Sequence, residues 1–369
     1  MAQINPFRIA VPDADLTDLK DRLGRTRWPE AECVDDWTQG IPLSYTRELA
    51  DYWAGEYDWR AREAALNRFD QFTTEIDGLD IHFIHQRSSA EDAFPLLITH
   101  GWPGSIVEFH KVIEPLTAAG FDVVCPSLPG YGFSGKPTRT GWGIERIAQG
   151  WETLMGRLGY DRYGAQGGDW GAAVTTQIGR NGGRCAAIHL NMPMARPTGS
   201  PDNLTDEEKQ ALERVADHRK WGTGYSKQQS TRPQTVGYGL TDSPVGQLAW
   251  IVEKFWSWTD CDGHPENVLT RDELLDNVML YWVTASATSS ARLYWESFRI
   301  FEGGERQRVE LPTGVASFPK EILRAPRSWC EAAYNITHWT NMPRGGHFAA
   351  FEQPELFVDD VSAFFANVR

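Results

Sequence analysis

Gly167-Gly168-Asp169-Trp170-Gly171 joins a short apolar run, Tyr163 to Gln166, to the helix-like Ala172-Ala173-Val174-Thr175. A strand that turns abruptly into a helix, with small residues two before and two after the central position, has the form of the nucleophile elbow G-x-S-x-G. Here aspartate stands where serine would. The small residues are needed because the turn is too tight for side chains beside it. The plainer reading is that Asp169 caps the following helix. The elbow reading asks for more: a parallel sheet, an upstream loop of backbone donors, and a histidine late in the chain.

The sheet is legible. Phe72 to Ile76, a turn at Asp77-Gly78, and Leu79 to His85 alternate as a hairpin. Short apolar strands recur at Pro95 to Thr99, Phe121 to Cys125, Tyr163 to Gln166, Cys185 to Leu190, Gly314 to Phe318 and Tyr334 to Trp339, with helix-compatible segments between them. An antiparallel start followed by βα repeats predicts an α/β fold, a mostly parallel central sheet with helices on both faces. Residues 1–70 read as a helical arm. Leu16, Leu19 and Leu23 follow Asp13 and Asp15 as candidate caps, and a second helix opens at Leu43-Ser44. With Trp28, Trp37, Trp53 and Trp59, the arm is expected to pack on the rest.

The βα rhythm fails between Pro197 and Phe301, where Asp206 to Val215, Gly246 to Phe255, Arg271 to Trp282 and Ala285 to Ile300 are helix-like. Thr231-Arg232-Pro233 and Thr241-Asp242-Ser243-Pro244 read as turns. The expected division is an arm at 1–70, an α/β core at 71–196 and 302–369, and a helical cap at 197–301. Pro354 to Val368 reads as a closing helix.

Across 369 residues, 50 acidic side chains against 36 basic ones leave a formal charge of −14, which argues against nucleic acid or an anionic membrane as partner. At 41% apolar residues the chain can bury a large core. Met1 to Pro12 has neither the basic start nor the apolar run of a signal peptide, and no stretch approaches a membrane span. Five scattered cysteines without a C-x-x-C pair fit reduced thiols. A cytoplasmic protein is expected, and the sequence leaves a homo-oligomer open.

His100-Gly101-Trp102-Pro103-Gly104 follows the strand ending at Thr99, the place for a loop whose backbone N–H faces the nucleophile. The amides of Trp102 and Trp170 are the expected oxyanion donors. Among nine histidines, His347 fits the base, on a glycine loop between the last strand and the last helix. His82 and His85 alternate to opposite faces of a strand and read as structural. The orienting acid should follow a late strand. Glu321, after Gly314 to Phe318, is the first choice, with Glu310 and Glu331 as alternatives.

Four stretches together, His100 to Phe109, Gly167 to Gly171, Thr241 to Gly246 and Arg344 to Phe351, resemble the epoxide hydrolases of the α/β-hydrolase superfamily. The likeness is to the microsomal-type branch, whose amino-terminal arm resembles Pro6 to Pro29, and it spans nearly the whole chain. It implies Asp169 as nucleophile, His347 as base and Glu321 as its partner. It also implies two cap tyrosines that hold the epoxide oxygen, matched by Tyr225 and Tyr294, with Tyr238 and Tyr281 as rivals. Trp102, Trp170, Tyr225 and Tyr294 would contact the substrate, a small hydrophobic epoxide, and water would be the second reactant. No cofactor or metal is implied. The hydrophobic anchor of membrane-bound members is not matched, so membrane attachment is not carried over.

The chemistry agrees with that resemblance. A carboxylate with a pKa near ~4 is ionised at neutral pH and can displace a leaving group at saturated carbon. Expelling an epoxide oxygen needs an acid, which phenols supply. Two other readings stay open. A haloalkane dehalogenase also uses an aspartate elbow, although Trp102 stands where a polar halide ligand is usual. A hydrolase-fold protein acting only by binding would keep the fold without the reaction.

Overall fold

The computed structural model describes residues 3–198, 201–298 and 307–369. The end of the run expected to reach Ile300, and the expected boundary between 301 and 302, lie outside them.

Among the described residues nine strands form one sheet: β1 (Ile4–Phe7), β2 (Gln71–Ile76), β3 (Leu79–Gln86), β4 (Phe94–Thr99), β5 (Phe121–Pro126), β6 (Tyr163–Gly167), β7 (Cys185–Leu190), β8 (Val309–Ser317) and β9 (Tyr334–Asn341). Their spatial order is β1-β2-β3-β5-β4-β6-β7-β8-β9. The hairpin side is antiparallel as far as β5, and every pairing from β5 to β9 is parallel. Asp77 and Gly78 both take left-handed φ values, 52° and 78°, as a two-residue hairpin turn requires. In β4, Leu96, Leu97 and Ile98 are all fully buried, because helices cover both faces of a central parallel strand. This is the α/β-hydrolase fold that the strand pattern and the resemblance led us to expect.

The arm departs from an all-helical reading. β1 adds to the free edge of β2, and it tolerates Pro6 because an edge strand has ladder positions whose N–H is not needed. Asp13 and Asp15 do not cap. Pro12 holds the cap position of the helix Asp13–Gly24 without a side-chain bond, and both acids lie in the first turn, where the helix dipole favours negative charge. A helix at Trp59–Leu66, capped by the Asp58 carboxylate on the Ala61 N–H at 3.2 Å, was not expected. The arm is strapped to the helix Arg271–Val283. Tyr52 and Tyr57 donate to Asp272 and Asp276, each at 2.8 Å, and Arg62 pairs with Asp276.

Helices between residues 206 and 297 lie over the loops that follow β4, β5 and β6. Asn277 donates to the Pro103 carbonyl and accepts from Ser105, both at 2.7 Å, and the Ser289 hydroxyl donates to the Gly130 carbonyl at 2.6 Å. The stretches read as turns are helix junctions. Pro233 and Pro244 open the helices Pro233–Asp242 and Pro244–Trp258, where a missing N–H costs nothing. β8 begins five residues earlier than expected because a register shift passes Pro312 through the ladder. Among the described residues no helix is long and apolar enough to cross a membrane.

Below the sheet's last strands, His189 on β7 and His338 on β9 both contact the Asp360 carboxylate, at 2.9 and 2.8 Å, from the closing helix Pro354–Phe365. Burial pushes this carboxyl's pKa up, but hydrogen bonds and charge from His189, with those from Thr340 and His338, outweigh it and bring it down to about 2. A folded-state pKa below the unfolded one stabilises the fold above about pH 4, and that share is lost as pH falls towards 2. Asp360→Asn should therefore cost roughly 2 kcal/mol at neutral pH. Urea denaturation reads this directly, and an unchanged midpoint would show that the cluster adds no stability.

Candidate active site

At the end of β6 the chain passes through extended Gly168 into Asp169 at φ 50°, a left-handed value that aspartate tolerates better than most residues. The surrounding contacts explain the glycines. A Cβ on Gly167 would overlap the Gly171 carbonyl, and one on Gly171 would overlap that of Thr99. Gly168 is the cap of the helix Asp169–Asn181 and Asp169 makes no capping bond, so the plainer reading of the pentapeptide fails. Instead Asp169 Oδ1 accepts the Trp102 N–H at 2.9 Å, and Oδ2 lies 3.4 Å from His347 Nε2.

The loop after β4 is built to present that N–H. A Cβ at Gly101 would run into the Asp169 carboxylate. His100 Nε2 accepts from the Leu128 N–H at 3.2 Å, which leaves Nδ1 to donate to the Gly101 carbonyl at 2.9 Å. Burial brings the His100 pKa down to about 4, so the ring is a neutral strut. Trp170 is the second residue of its helix, a position whose N–H the helical ladder does not use.

His347 follows β9 on a glycine loop, its own N–H bonded to the Trp258 carbonyl at 2.8 Å. Its Nδ1 is 2.6 Å from Glu321 Oε1, which also accepts the Ile322 N–H at 2.7 Å. Burial disfavours charge on this ring, but Glu321 and then Asp169 outweigh it and hold the imidazole well above the usual histidine range. Glu310 and Glu331 are exposed and pair with Arg308 and Arg327. His82 and His85 are buried, bonded to Ser127 and Gln71 and to Tyr160 respectively.

Two tyrosines face this pair from above. Tyr225, on the helix Gly224–Thr231, stacks on Trp102 with centroids 5.0 Å apart. Tyr294, on the helix Ala287–Ser297, meets Trp170 edge-on at 4.8 Å. Their rings are 5.9 Å apart and nearly perpendicular. Burial pushes both phenols up, and the negative charge of Asp169 adds to it. Among the described residues the buried Tyr294 hydroxyl has no partner of hydrogen-bond geometry, although it lies close enough to Tyr225 to influence its ionisation. Tyr238 is 70% exposed, and the Tyr281 hydroxyl is spent on the Gly104 carbonyl at 2.7 Å.

Asp169 stands between two cavities. The larger, about 550 Å³, is bounded by Trp170, Tyr225 and Tyr294 with Met192, Met194 and Phe298. The smaller, about 20 Å³ behind the carboxylate, is bordered by Trp102, Glu108, Gln166, Asn191 and His347, and has room for one water. Trp102 borders this smaller space, with its ring against Tyr225. Glu108 was missed by the sequence reading. Loss of hydration pushes its carboxyl up to about 8, with His347 opposing and Asp169 assisting, so at neutral pH it presents a proton to the small cavity. It lies inside the quoted run His100 to Phe109, but a single glutamate on a 3-10 turn (Ile106–Phe109) has no spacing to mark it.

Known proteins resemble this chain over nearly its whole length. Residues 4–109 match the family model described as epoxide hydrolase N terminus, and residues 95–240 match that of the alpha/beta hydrolase fold. A Stigmatella aurantiaca (strain DW4/3-1) protein that carries a provisional epoxide hydrolase name is 52% identical over 379 aligned residues, covering 99% of this chain and 86% of that protein. The structure of Aspergillus niger epoxide hydrolase superposes with a TM-score of 0.91 at 36% identity, covering 100% of this chain and 97% of that one. Juvenile hormone epoxide hydrolase from the silkworm Bombyx mori gives 0.93 at 34%, covering 100% and 95%.

Proposed function

The chain belongs to the epoxide hydrolases built on the α/β-hydrolase fold, and we propose that it opens its epoxide through a covalent ester on Asp169. Membership replaces the dehalogenase and binding-only readings, and makes an epoxide and water the reactants. One observation carries the mechanism: the Asp169 carboxylate and the buried rings of Tyr225 and Tyr294 border the same cavity, with the Tyr294 hydroxyl making no hydrogen bond of good geometry among the described residues. An epoxide oxygen would satisfy that hydroxyl.

Aspartate needs no base before it attacks saturated carbon. Tyr225 and Tyr294, kept neutral by burial, donate to the epoxide oxygen as its C–O bond breaks and prevent release of a free alkoxide. The resulting ester places its carbonyl oxygen at the Trp102 and Trp170 amides. Alkylation also removes the negative charge beside His347. Its pKa falls, and the neutral ring, oriented through Nδ1 by Glu321, can take a proton from water in the small cavity. Glu108 would hold that water. Attack on the Asp169 carbonyl carbon breaks the ester; the proton taken up by His347 passes to the departing diol oxygen, and the proton left on the regenerated Asp169 carboxyl restores the phenol that gave one up.

Single turnover in heavy-oxygen water tests this course. Label should enter the Asp169 carboxylate and be absent from the first diol formed; label in that diol would mean that water opens the epoxide directly. Tyr294→Phe or Tyr225→Phe alone should slow alkylation roughly a hundredfold, since one phenol remains. Stopped-flow tryptophan fluorescence can follow this step, and a rate within twofold of the parent would remove that tyrosine from ring opening.

The same reading treats 1–70 as arm, 71–196 with 302–369 as core, and 197–301 as cap. Five unpaired thiols support a reducing, cytoplasmic setting. The apolar cavity wall supports a hydrophobic substrate.

A further inference from the structure

The larger cavity is apolar around Asp169, but its outer end is different. Arg219 and Lys227 border it there, both exposed, and among the described residues Asp169 is the only carboxylate in its lining. Neither cation forms an ion pair among the described residues. That is unlike much of this acid-rich chain, where Arg22, Arg60, Arg62, Arg271, Arg308 and Arg327 are all paired with carboxylates. Lys220, between them in sequence, lies over the Trp221 ring and does not border the cavity. His218 does border it, and burial lowers its pKa, so it adds a polar edge without charge at neutral pH.

Two unpartnered cations at the mouth of an apolar cavity, in a protein of formal charge −14, form a local reversal of the surrounding field. Such a reversal attracts anions and orients them head-outwards. We propose that the cavity takes an epoxide borne on an apolar chain that ends in a carboxylate, with the carboxylate at Arg219 and Lys227 and the epoxide at Asp169. This rests on the epoxide reading above and narrows it. A cavity of about 550 Å³ exceeds the needs of the smallest epoxides and lies within the usual range for drug-sized ligands. Because both cations are exposed, each pair formed is weak and screened by salt. The gain therefore falls on capture of the substrate, in kcat/KM, more than on kcat.

A matched pair of substrates reads this out: a mid-chain epoxy fatty acid and its methyl ester, each below its micelle concentration. The unaltered enzyme should show kcat/KM for the acid roughly tenfold above that for the ester at low ionic strength, and added salt should shrink the ratio. In the double variant Arg219→Gln, Lys227→Gln the ratio should fall towards one. An acid-to-ester ratio of one or less in the unaltered enzyme, a ratio indifferent to salt, or one that persists in the double variant would overturn the proposal and leave the epoxide reading intact. Failure to open either substrate while styrene oxide is still opened would overturn this proposal alone; failure with all three would overturn the epoxide reading as well.

Discussion

Asp169→Asn eliminates diol formation, with kcat lowered on the order of 10⁴-fold or more, in a protein that folds as its parent does. Asparagine is the informative replacement because it shares aspartate's tolerance of the left-handed φ of 50° found here, whereas alanine at this elbow adds strain. The amide oxygen can still accept the Trp102 N–H. What is lost is a charged nucleophile and the counter-charge 3.4 Å from His347 Nε2. Diol assay with circular dichroism separates lost chemistry from lost fold. Intact mass shows whether the amide has been hydrolysed back to the acid. Diol formation within tenfold of the parent would make Asp169 a spectator and water the nucleophile.

The parts of this site legible in the sequence are those in which backbone geometry constrains residue type. Gly167 and Gly171 mark the elbow because carbonyls of Gly171 and Thr99 fill the space where side chains would be. Gly101 is legible for the same reason, being pressed against the Asp169 carboxylate. His347 and Glu321 were placed by chain order, since each follows a strand whose apolar run is easy to see. The choice of Tyr225 and Tyr294 over Tyr238 and Tyr281 needed the resemblance, because all four lie on helices between residues 206 and 297 and only their positions in space separate them.

Other features carry no local mark. β1 is four residues long, contains Pro6 and has a burial pattern without alternation, so neither period nor propensity identifies it. The helix Gly224–Thr231 buries only Tyr225, Ser226 and Gln229, and its apolar stripe is too thin to register. Glu108 acquires its meaning from folding alone. Its carboxyl curls against Gly104 into the space below Asp169, a proximity no spacing rule encodes.

Replacing His347 by glutamine should divide the reaction at its midpoint. The free enzyme consumes one equivalent of epoxide per site, the protein gains the mass of the substrate, and diol release falls by roughly 10³–10⁴-fold, within the range for loss of a general base. Glutamine is preferred because its amide can still donate to Glu321, whose Oε2 is buried without a hydrogen-bond partner among the described residues; an apolar residue would strand that carboxylate. The parent enzyme should show the same division through pH. His347 must be neutral to accept a proton from water. In the free enzyme Glu321 and Asp169 both hold it protonated above the usual range, against the effect of burial. Alkylation cancels the charge of Asp169, so the ester form titrates lower than the free enzyme. Ester decay, followed by rapid quench and mass spectrometry, should slow as pH drops through that lower value, while alkylation should not share its inflection. A common inflection for both steps, or a H347Q protein that releases diol at the parental rate, would mean that the water is activated elsewhere.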